Sequence, residues 1–157
     1  SIEKTTGPSC LILSRQSMPQ LDFSCTETRN LKKGGYILKN VENPIACIIA
    51  TGSEVSLALE IASVLKKEDL AIRVVSMPCS SVFDRQSESY RKTVLPENIK
   101  KISIEAGSTD LWYKYTGREG LTIGINQFGA SAPAEILFRE LKLDLESCLT
   151  KIRSFLR

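Results

Sequence analysis

The clearest pattern along the chain lies between residues 44 and 65, where an unbroken apolar run gives way to a helical spacing of apolar positions. The run at 45–50 is typical of a strand that is covered on both faces, as in parallel sheets. It ends at a glycine turn in which Thr51 and Glu54 have the spacing of a capping box, so we expect a helix to begin there. A strand that leads directly into a helix is the basic unit of an open α/β sheet.

This helix, predicted over 54–67, carries more apolar residues than one buried face requires. One face holds Val55, Ala58, Leu59, Ala62 and Leu65. A second row consists of Leu57, Ile61 and Val64, which is too much apolar surface for a helix with one side in water. The surplus row indicates a partner surface.

Strand and helix patterns continue to alternate downstream of Gly34. We predict strands at 36–38, 45–50, 71–76, 99–105 and 121–125. Further helices are predicted at 83–95, 111–115 and 131–141, the last with Pro133 in its first turn, and from an N-cap at Asp144 onward. The link at 39–43 is too short for a parallel crossover, so the first two strands, if neighbours, run antiparallel. The predicted fold is therefore α/β, a three-layer α/β/α sandwich over a mixed five-stranded sheet whose first strand is antiparallel to the rest.

The first 33 residues of the chain differ from the rest, because they show no alternation of strand and helix patterns. Residues 9–13 resemble a strand with nothing nearby to pair with, and residues 14–33 show no sustained period, which is typical of a linker. We therefore expect residues 1–33 to be the last strand of an upstream domain plus a linker, and residues 34–157 to be one compact domain. The chain reads as a fragment of a larger protein.

Composition narrows the possible functions. The net charge is +3 with both signs interspersed, and the lysine pairs are too short to mark a nucleic-acid surface. No apolar run approaches a membrane span, so we expect a soluble, cytoplasmic protein without nucleic-acid or membrane partners. The five cysteines are scattered, which favours reduced thiols. Histidine is absent, so any catalysis by this chain alone would depend on carboxylates, Lys, Tyr or Cys.

Two positions at strand ends have both a functional and a structural interpretation. The turn at 51–53 could cradle an anion at a helix N-terminus, but it lacks a phosphate-binding lysine and Glu54 would repel a phosphate, so turn and cap chemistry is favoured. Glu105 ends a strand where ligands of α/β sheets often bind, and it is either a catalytic carboxylate or a cap for the helix near Asp110.

Three further segments have two interpretations each. The small residues at 124–134 around Phe128 favour close packing in a groove or interface. The aromatic cluster of Trp112, Tyr113 and Tyr115 favours a core or interface over base stacking. Arg15 follows the first strand-like run, and the residues alone leave open whether its guanidinium contacts a ligand or forms a surface ion pair.

An ordered set of motifs resembles the C-terminal part of the transketolase family, of the bacterial, yeast and plant type. The set covers nearly the whole chain. It consists of GPSCLILSRQ (7–16), KGGYIL (33–38), ATGSEVSLALE (50–60), RVVSMP (73–78), FDRQSESYRKTVLP (83–96), SIEAGS (103–108) and IGINQFGASAPAEIL (123–137).

The resemblance implies a homodimeric transferase of the pentose phosphate pathway that moves a two-carbon ketol unit between sugar phosphates. It implies thiamine diphosphate and a divalent cation, Mg²⁺ or Ca²⁺, in the parent enzyme, all held upstream of this chain. Residues 1–33 would end the pyrimidine-binding domain and 34–157 would form the C-terminal domain, with no catalytic, cofactor or metal residues. Arg15 occupies the position of the family's arginine that grips the substrate phosphate. The fragment itself is expected to be inactive.

Several positions depart from the family pattern, namely Cys79-Ser80-Ser81, Leu111, Asn126 and Lys142. Leu111 and Asn126 bear on local packing or an interface, and no departure touches Arg15. Two alternatives remain from the sequence: a sister thiamine enzyme, such as deoxyxylulose-phosphate synthase or a pyruvate dehydrogenase beta subunit, and a stand-alone ligand-binding or scaffold module.

Overall fold

The computed structural model of the protein describes residues 6–8, 10–14, 17–19 and 30–157. Within these ranges the strands are β1 (Tyr36–Lys39), β2 (Ala46–Ala50), β3 (Ile72–Ser76), β4 (Lys100–Ile104) and β5 (Leu121–Ile123). The α-helices are α1 (Glu54–Lys66), α2 (Ser80–Phe83), α3 (Glu88–Val94), α4 (Tyr113–Thr116), α5 (Ala134–Glu140) and α6 (Leu145–Leu156). Short 3-10 helices lie at Leu31–Lys33 and Asp110–Trp112.

The described strands form one five-stranded sheet in the order β1-β3-β2-β4-β5. The strands β3, β2, β4 and β5 are parallel, and β1 runs antiparallel to β3, which confirms the reversed first strand. However, β1 and β2 are not neighbours, because β3 lies between them. The short link between β1 and β2 spans two strand spacings, roughly 10 Å, without a crossover helix. The β1 pairing contains an irregularity between Ile37 and Lys39.

Alternate residues of each strand face two different cores, which confirms the three-layer sandwich. The aliphatic face lies between the sheet and helices α1 and α6, and its fully buried residues include Ile48, Ile61, Leu65, Ile102 and Ile152. The aromatic face lies on the other side of the sheet and contains Cys47, Ile49, Val75, Met77, Phe83, Val94, Trp112 and Tyr115. All five residues of β2 are buried, as the unbroken apolar run predicts.

Helix α1 begins as predicted at Glu54, but the expected capping box does not form. The N-cap is Ser53, and its side chain makes no capping hydrogen bond. The second apolar row is largely covered by the chain itself, since Ile61 is fully buried and Leu57 and Val64 pack partly buried against the aliphatic core that α6 completes. Helix α6 therefore covers much of the second apolar row of α1, for which the sequence predicts a partner surface.

The predicted helix over 83–95 is wrong in its extent, because the segment forms two helices, α2 and α3. Ser87 has an extended backbone, and its hydroxyl accepts a hydrogen bond from the Tyr90 backbone N–H at 3.2 Å. A serine in this position starts a new helix instead of continuing the previous one. Helix α5 likewise begins later than predicted, because Pro133 adopts an extended conformation at its N-cap instead of lying in the first turn.

The N-terminal residues that the structure describes do not form the strand predicted at 9–13. Residues 10–14 have no regular secondary structure, and Leu11, Ile12 and Leu13 are 74%, 91% and 82% exposed. A strand needs a partner for its backbone groups, and the sheet of this domain does not supply one here. Most of the predicted linker at 14–33 lies outside the described residues. Among the described residues, no helix is long and apolar enough to cross a membrane.

Candidate functional site

The carboxyl ends of β2, β4 and β5 meet at one edge of the sheet, where ligands of open α/β sheets commonly bind. Arg15, the predicted substrate-binding residue, lies outside the described residues. Its described neighbours come close to this carboxyl edge: Ser14 Oγ lies 3.8 Å from the position that a Cβ on Gly52 would take. Ser17 and Met18 line a cleft of about 300 Å³ together with Glu54 at the start of α1.

Glu54 connects two of the loops at the carboxyl edge. Its side chain is only 5% exposed. One carboxylate oxygen accepts a hydrogen bond from Ser53 Oγ at 2.7 Å, and the other accepts one from the Ala106 backbone N–H at 3.2 Å. A buried carboxylate is tolerated when its oxygens are bonded in this way. Glu54 thus fastens the turn before α1 to the end of β4, a long-range role that the sequence pattern did not reveal.

The turn at 51–53 is built as a turn and not as an anion cradle. The backbone N–H of Glu54 donates to Thr51 O at 3.2 Å, and that of Val55 donates to Gly52 O at 3.4 Å. Gly52 has a φ of +54°, a conformation that glycine adopts without strain. With these donors engaged and a buried carboxylate beside them, the turn does not fit a phosphate.

Glu105 is held by an aromatic side chain. Its carboxylate accepts a hydrogen bond from the indole Nε1–H of Trp112, which is itself buried. The predicted alternative, that Glu105 caps the helix near Asp110, is wrong: the Asp110 backbone N–H donates to Ser108 Oγ at 3.3 Å. Glu105 therefore fixes the position of the Trp112 ring, which belongs to the aromatic face.

The loop after β5 packs tightly against the loop after β4. A Cβ on Gly124 would lie 2.6 Å from Gly107 O, so only glycine fits at this position. Asn126 accepts hydrogen bonds through its side-chain oxygen from the backbone N–H and the hydroxyl of Thr109 at 3.0 and 3.1 Å. The small residues at the start of 124–134 thus serve close packing, as predicted.

Several large apolar side chains in the segments after β4 and β5 are exposed. Phe128 is fully exposed, and Leu111, Tyr113 and Ile136 are each about half exposed. The aromatic cluster therefore divides into two parts. Trp112 and Tyr115 belong to the core, whereas Tyr113 faces outward.

Among the described residues, no group of three or more His, Cys, Asp or Glu side chains could hold a metal ion. Burial raises the pKa of the Cys47 thiol and of the Cys148 thiol to about 11, so both stay protonated and unreactive near neutral pH. A hydrogen bond with Ser81 lowers the pKa of the exposed Cys79 thiol.

Comparisons with known proteins agree with this architecture. A family model described as "Transketolase-like TK C-terminal domain" matches residues 34–144. Transketolase 2 of Aliivibrio fischeri is 48% identical over 158 residues, covering 99% of this chain and 24% of the relative. Transketolase 1 of Pasteurella multocida is 45% identical over 161 residues, with the same coverage. A solved transketolase structure from Pichia stipitis matches with a TM-score of 0.82 at 37% identity, covering 90% of this chain and 20% of that one.

The sandwich with its reversed edge strand, together with the match over residues 34–144, defines a C-terminal domain of the transketolase-like type. The chain spans about a quarter of the length of the curated relatives it matches. It belongs to the transketolase family.

Proposed function

We propose that this chain serves as the C-terminal domain of a transketolase that moves a two-carbon ketol unit between sugar phosphates. The observation that carries the proposal is the 48% identity to a protein named transketolase over 99% of this chain. Thiamine diphosphate and its divalent cation supply the carbon–carbon bond chemistry when bound. Because this chain spans about a quarter of its relatives' length, we assign these groups to parts of the protein outside this chain. We place the enzyme in the cytoplasm.

We infer that Arg15 binds the phosphate group of the sugar substrate. A guanidinium presents a planar fork that matches phosphate oxygens in a bidentate manner. Support comes from its described neighbours Ser14 and Ser17, which lie near Gly52 and Glu54 at the carboxyl edge.

We propose that the domain also contributes to a homodimer interface. Support comes from the exposed apolar side chains of Leu111, Tyr113, Phe128 and Ile136, which lie in the segments that follow β4 and β5. Such surfaces are costly in water unless another protein surface covers them. In the same scheme residues 1–33 end an upstream pyrimidine-binding domain and connect it to the domain formed by 34–157.

A chimera tests the proposed activity. This chain replaces the matching C-terminal part of Transketolase 2 from Aliivibrio fischeri, and transfer from a ketose phosphate to an aldose phosphate is measured. We expect activity in the chimera, dependent on added thiamine diphosphate and Mg²⁺, and none in the 157-residue chain alone. Ketol transfer by the chain alone would contradict the assignment of the cofactor to other parts of the protein. A well-folded dimeric chimera without activity would contradict the proposed function.

The role of Arg15 is tested in the same chimera. Arg15→Ala removes charged hydrogen bonds and should lower kcat/KM for phosphorylated substrates about 10- to 100-fold. Arg118→Ala is the matched control, because Arg118 is exposed before β5, at the opposite end of the sheet, and should leave kcat/KM unchanged. An equal loss with unphosphorylated acceptors would show a folding effect instead of phosphate binding.

A stand-alone ligand-binding or scaffold module makes a different prediction for the chain by itself. Such a module would be a monomer that binds a small ligand tightly at the turn formed by 51–53. Sedimentation combined with a sugar-phosphate titration separates the two proposals. The internal hydrogen bonds of that turn favour the domain of a larger enzyme.

A further inference from the structure

A second cleft lies on the aromatic side of the sheet, next to the amino end of β4. Its volume is about 330 Å³, which falls within the roughly 300–1,000 Å³ typical of small-molecule sites. We name it the basic cleft because four Arg and Lys side chains line it. The residues that matter for its chemistry are Phe83, Arg91, Lys92, Lys101, Lys114 and Tyr115.

Two of the four cations in the basic cleft are neutralised by carboxylates. Lys114 pairs with Asp84 at 2.7 Å. Lys92 pairs with Glu88 at 2.9 Å and with Glu97 at 3.3 Å, and all three carboxylates also line the cleft. These pairs account for every acidic group in the lining. The remaining two cations form no ion pair with these carboxylates, although the charge of Arg91 acts on Asp84 and Glu88 over a longer distance.

These two cations are Lys101 and Arg91. Within the described part of the chain, the hydrogen bond of the Lys101 ammonium is a long one, to Ile99 O at 3.5 Å. The Arg91 guanidinium forms no ion pair with the described residues, and its Nε–H is buried without a hydrogen-bond partner among them. A buried donor without a partner costs free energy, so native proteins normally satisfy such a group with protein, solvent or ligand.

We propose that the basic cleft binds a small anion that carries a phosphate group. Arg91 would donate from its planar guanidinium to the phosphate oxygens, and Lys101 would supply a second positive charge. The lining also includes Phe83 and Tyr115 of the aromatic core, whose rings suit the organic part of such a molecule. The site lies at the opposite end of the strands from the carboxyl edge near Ser14.

Titration with inorganic phosphate at constant ionic strength tests the proposal directly on the chain. The Arg91 Nε–H resonance in a ¹H–¹⁵N spectrum is the readout, because it belongs to the unpaired group. We expect a saturable shift with a Kd of about 1 mM, as two charge-assisted contacts to a small ion would give. Lys101→Met should weaken binding about tenfold or more. Lys67→Met removes the same charge from the exposed end of α1 and should have no effect.

Three outcomes would overturn the proposal. The first is no saturation of the Arg91 resonance by roughly 50 mM phosphate. The second is a Lys101→Met variant that binds as tightly as the unmodified chain. The third is tighter binding of malonate than of phosphate, which would assign the site to carboxylates.

Thermal unfolding distinguishes a binding role of Arg91 from a purely structural one. Phosphate should raise the Tm of the unmodified chain by several degrees, because it binds the folded state. Arg91→Met should abolish this rise while leaving the Tm without phosphate unchanged or higher, since it removes an unpaired buried donor. A variant with a lowered Tm and no response of the unmodified chain to phosphate would show that Arg91 only supports the fold.

Discussion

The two faces of the sheet are built from alternate residues of the same strands, yet different interactions stabilise them. On the aliphatic face, Ile48 packs against α1 and α6 through apolar contacts alone. On the aromatic face, the neighbouring residue Ile49 lies beneath rings that also carry polar groups. The ring centroids of Trp112 and Tyr115 are 6.0 Å apart, and the Tyr115 hydroxyl donates to Asp84 Oδ1 at 3.0 Å.

Directional bonds recur on the aromatic face. The Tyr90 hydroxyl donates to Gly35 O at 2.9 Å, and the Arg73 guanidinium donates to Thr93 O at 3.0 Å. Such bonds fix helix positions but contribute only about 0.5–1.5 kcal/mol each. The comparison teaches that the aliphatic face stabilises the fold by burying apolar side chains. The aromatic face, in contrast, holds the charged groups around the basic cleft in position.

The largest expected effect comes from the aliphatic face. Ile61→Ala removes a fully buried side chain between the sheet and α6 and leaves a cavity. We expect the free energy of unfolding to fall by about 2–5 kcal/mol, measured by chemical denaturation. Ser63→Ala on the exposed side of the same helix is the control and should change it by less than about 0.5 kcal/mol. A small effect of Ile61→Ala would mean that this core repacks, and the contrast between the faces would disappear.

A smaller effect is expected from the aromatic face. Tyr115→Phe keeps the ring and removes the hydroxyl that donates to Asp84, which should lower the free energy of unfolding by about 0.5–1.5 kcal/mol. Burial opposes the ionisation of Asp84, but hydrogen bonds from Lys114 and Tyr115 prevail and lower the pKa of its carboxyl. The variant should therefore raise the pKa of Asp84, which an NMR titration measures.

Tyr113→Phe is the matched control for Tyr115→Phe. Tyr113 is 51% exposed, outside both cores, so its variant should change neither the stability nor the pKa of Asp84. Equal effects of the two variants would contradict a specific role for the Tyr115 hydroxyl. Burial and the nearby Asp84 carboxylate raise the pKa of Tyr115 itself to about 12, so this hydroxyl remains a donor at neutral pH.

The smallest expected effect concerns pH and the cap of α6. Hydrogen bonds from the Ser147 hydroxyl and backbone N–H lower the pKa of the Asp144 carboxyl. Because the folded pKa lies below the unfolded value of about 3.9, this cap stabilises the fold above that pH and loses its contribution as the pH falls below it. Asp144→Asn retains a capping oxygen without this titration, so its unfolding free energy should depend less on pH between about 2 and 5. An unchanged pH dependence would exclude Asp144 as a contributor.

The sequence was most informative where local pattern and burial agree. The run at 45–50 was recognisable because both faces of β2 are covered, so that all its residues are apolar. Asp144 was recognisable as a cap because an aspartate precedes a helical spacing of apolar residues, and its side chain does accept a hydrogen bond from the Ser147 backbone N–H. The break at Ser87 had a readable signal, a serine before an acidic residue, but residues 83–95 were interpreted as one polar helix that ends before Pro96.

Long-range partners explain what the sequence did not reveal. Glu54 was interpreted through its neighbour Thr51, whereas its decisive partner Ala106 lies at the end of another strand. The insertion of β3 between β1 and β2 likewise depends on pairing that no local pattern encodes. The lack of a partner for Arg91 can be recognised only once its surroundings are known. The role of Arg15 stays a prediction, because that residue lies outside the described part of the chain.

The two outer strands of the sheet have a consequence for how copies of this domain can associate. Strand β5 has only three residues, and β1 has four with a bulge-like irregularity at Ile37 and Lys39. Short, irregular edges offer few free backbone groups in register, so they resist strand addition and the aggregation that follows from it. Association of this domain would accordingly proceed through side chains and not by extending the sheet from one molecule into the next.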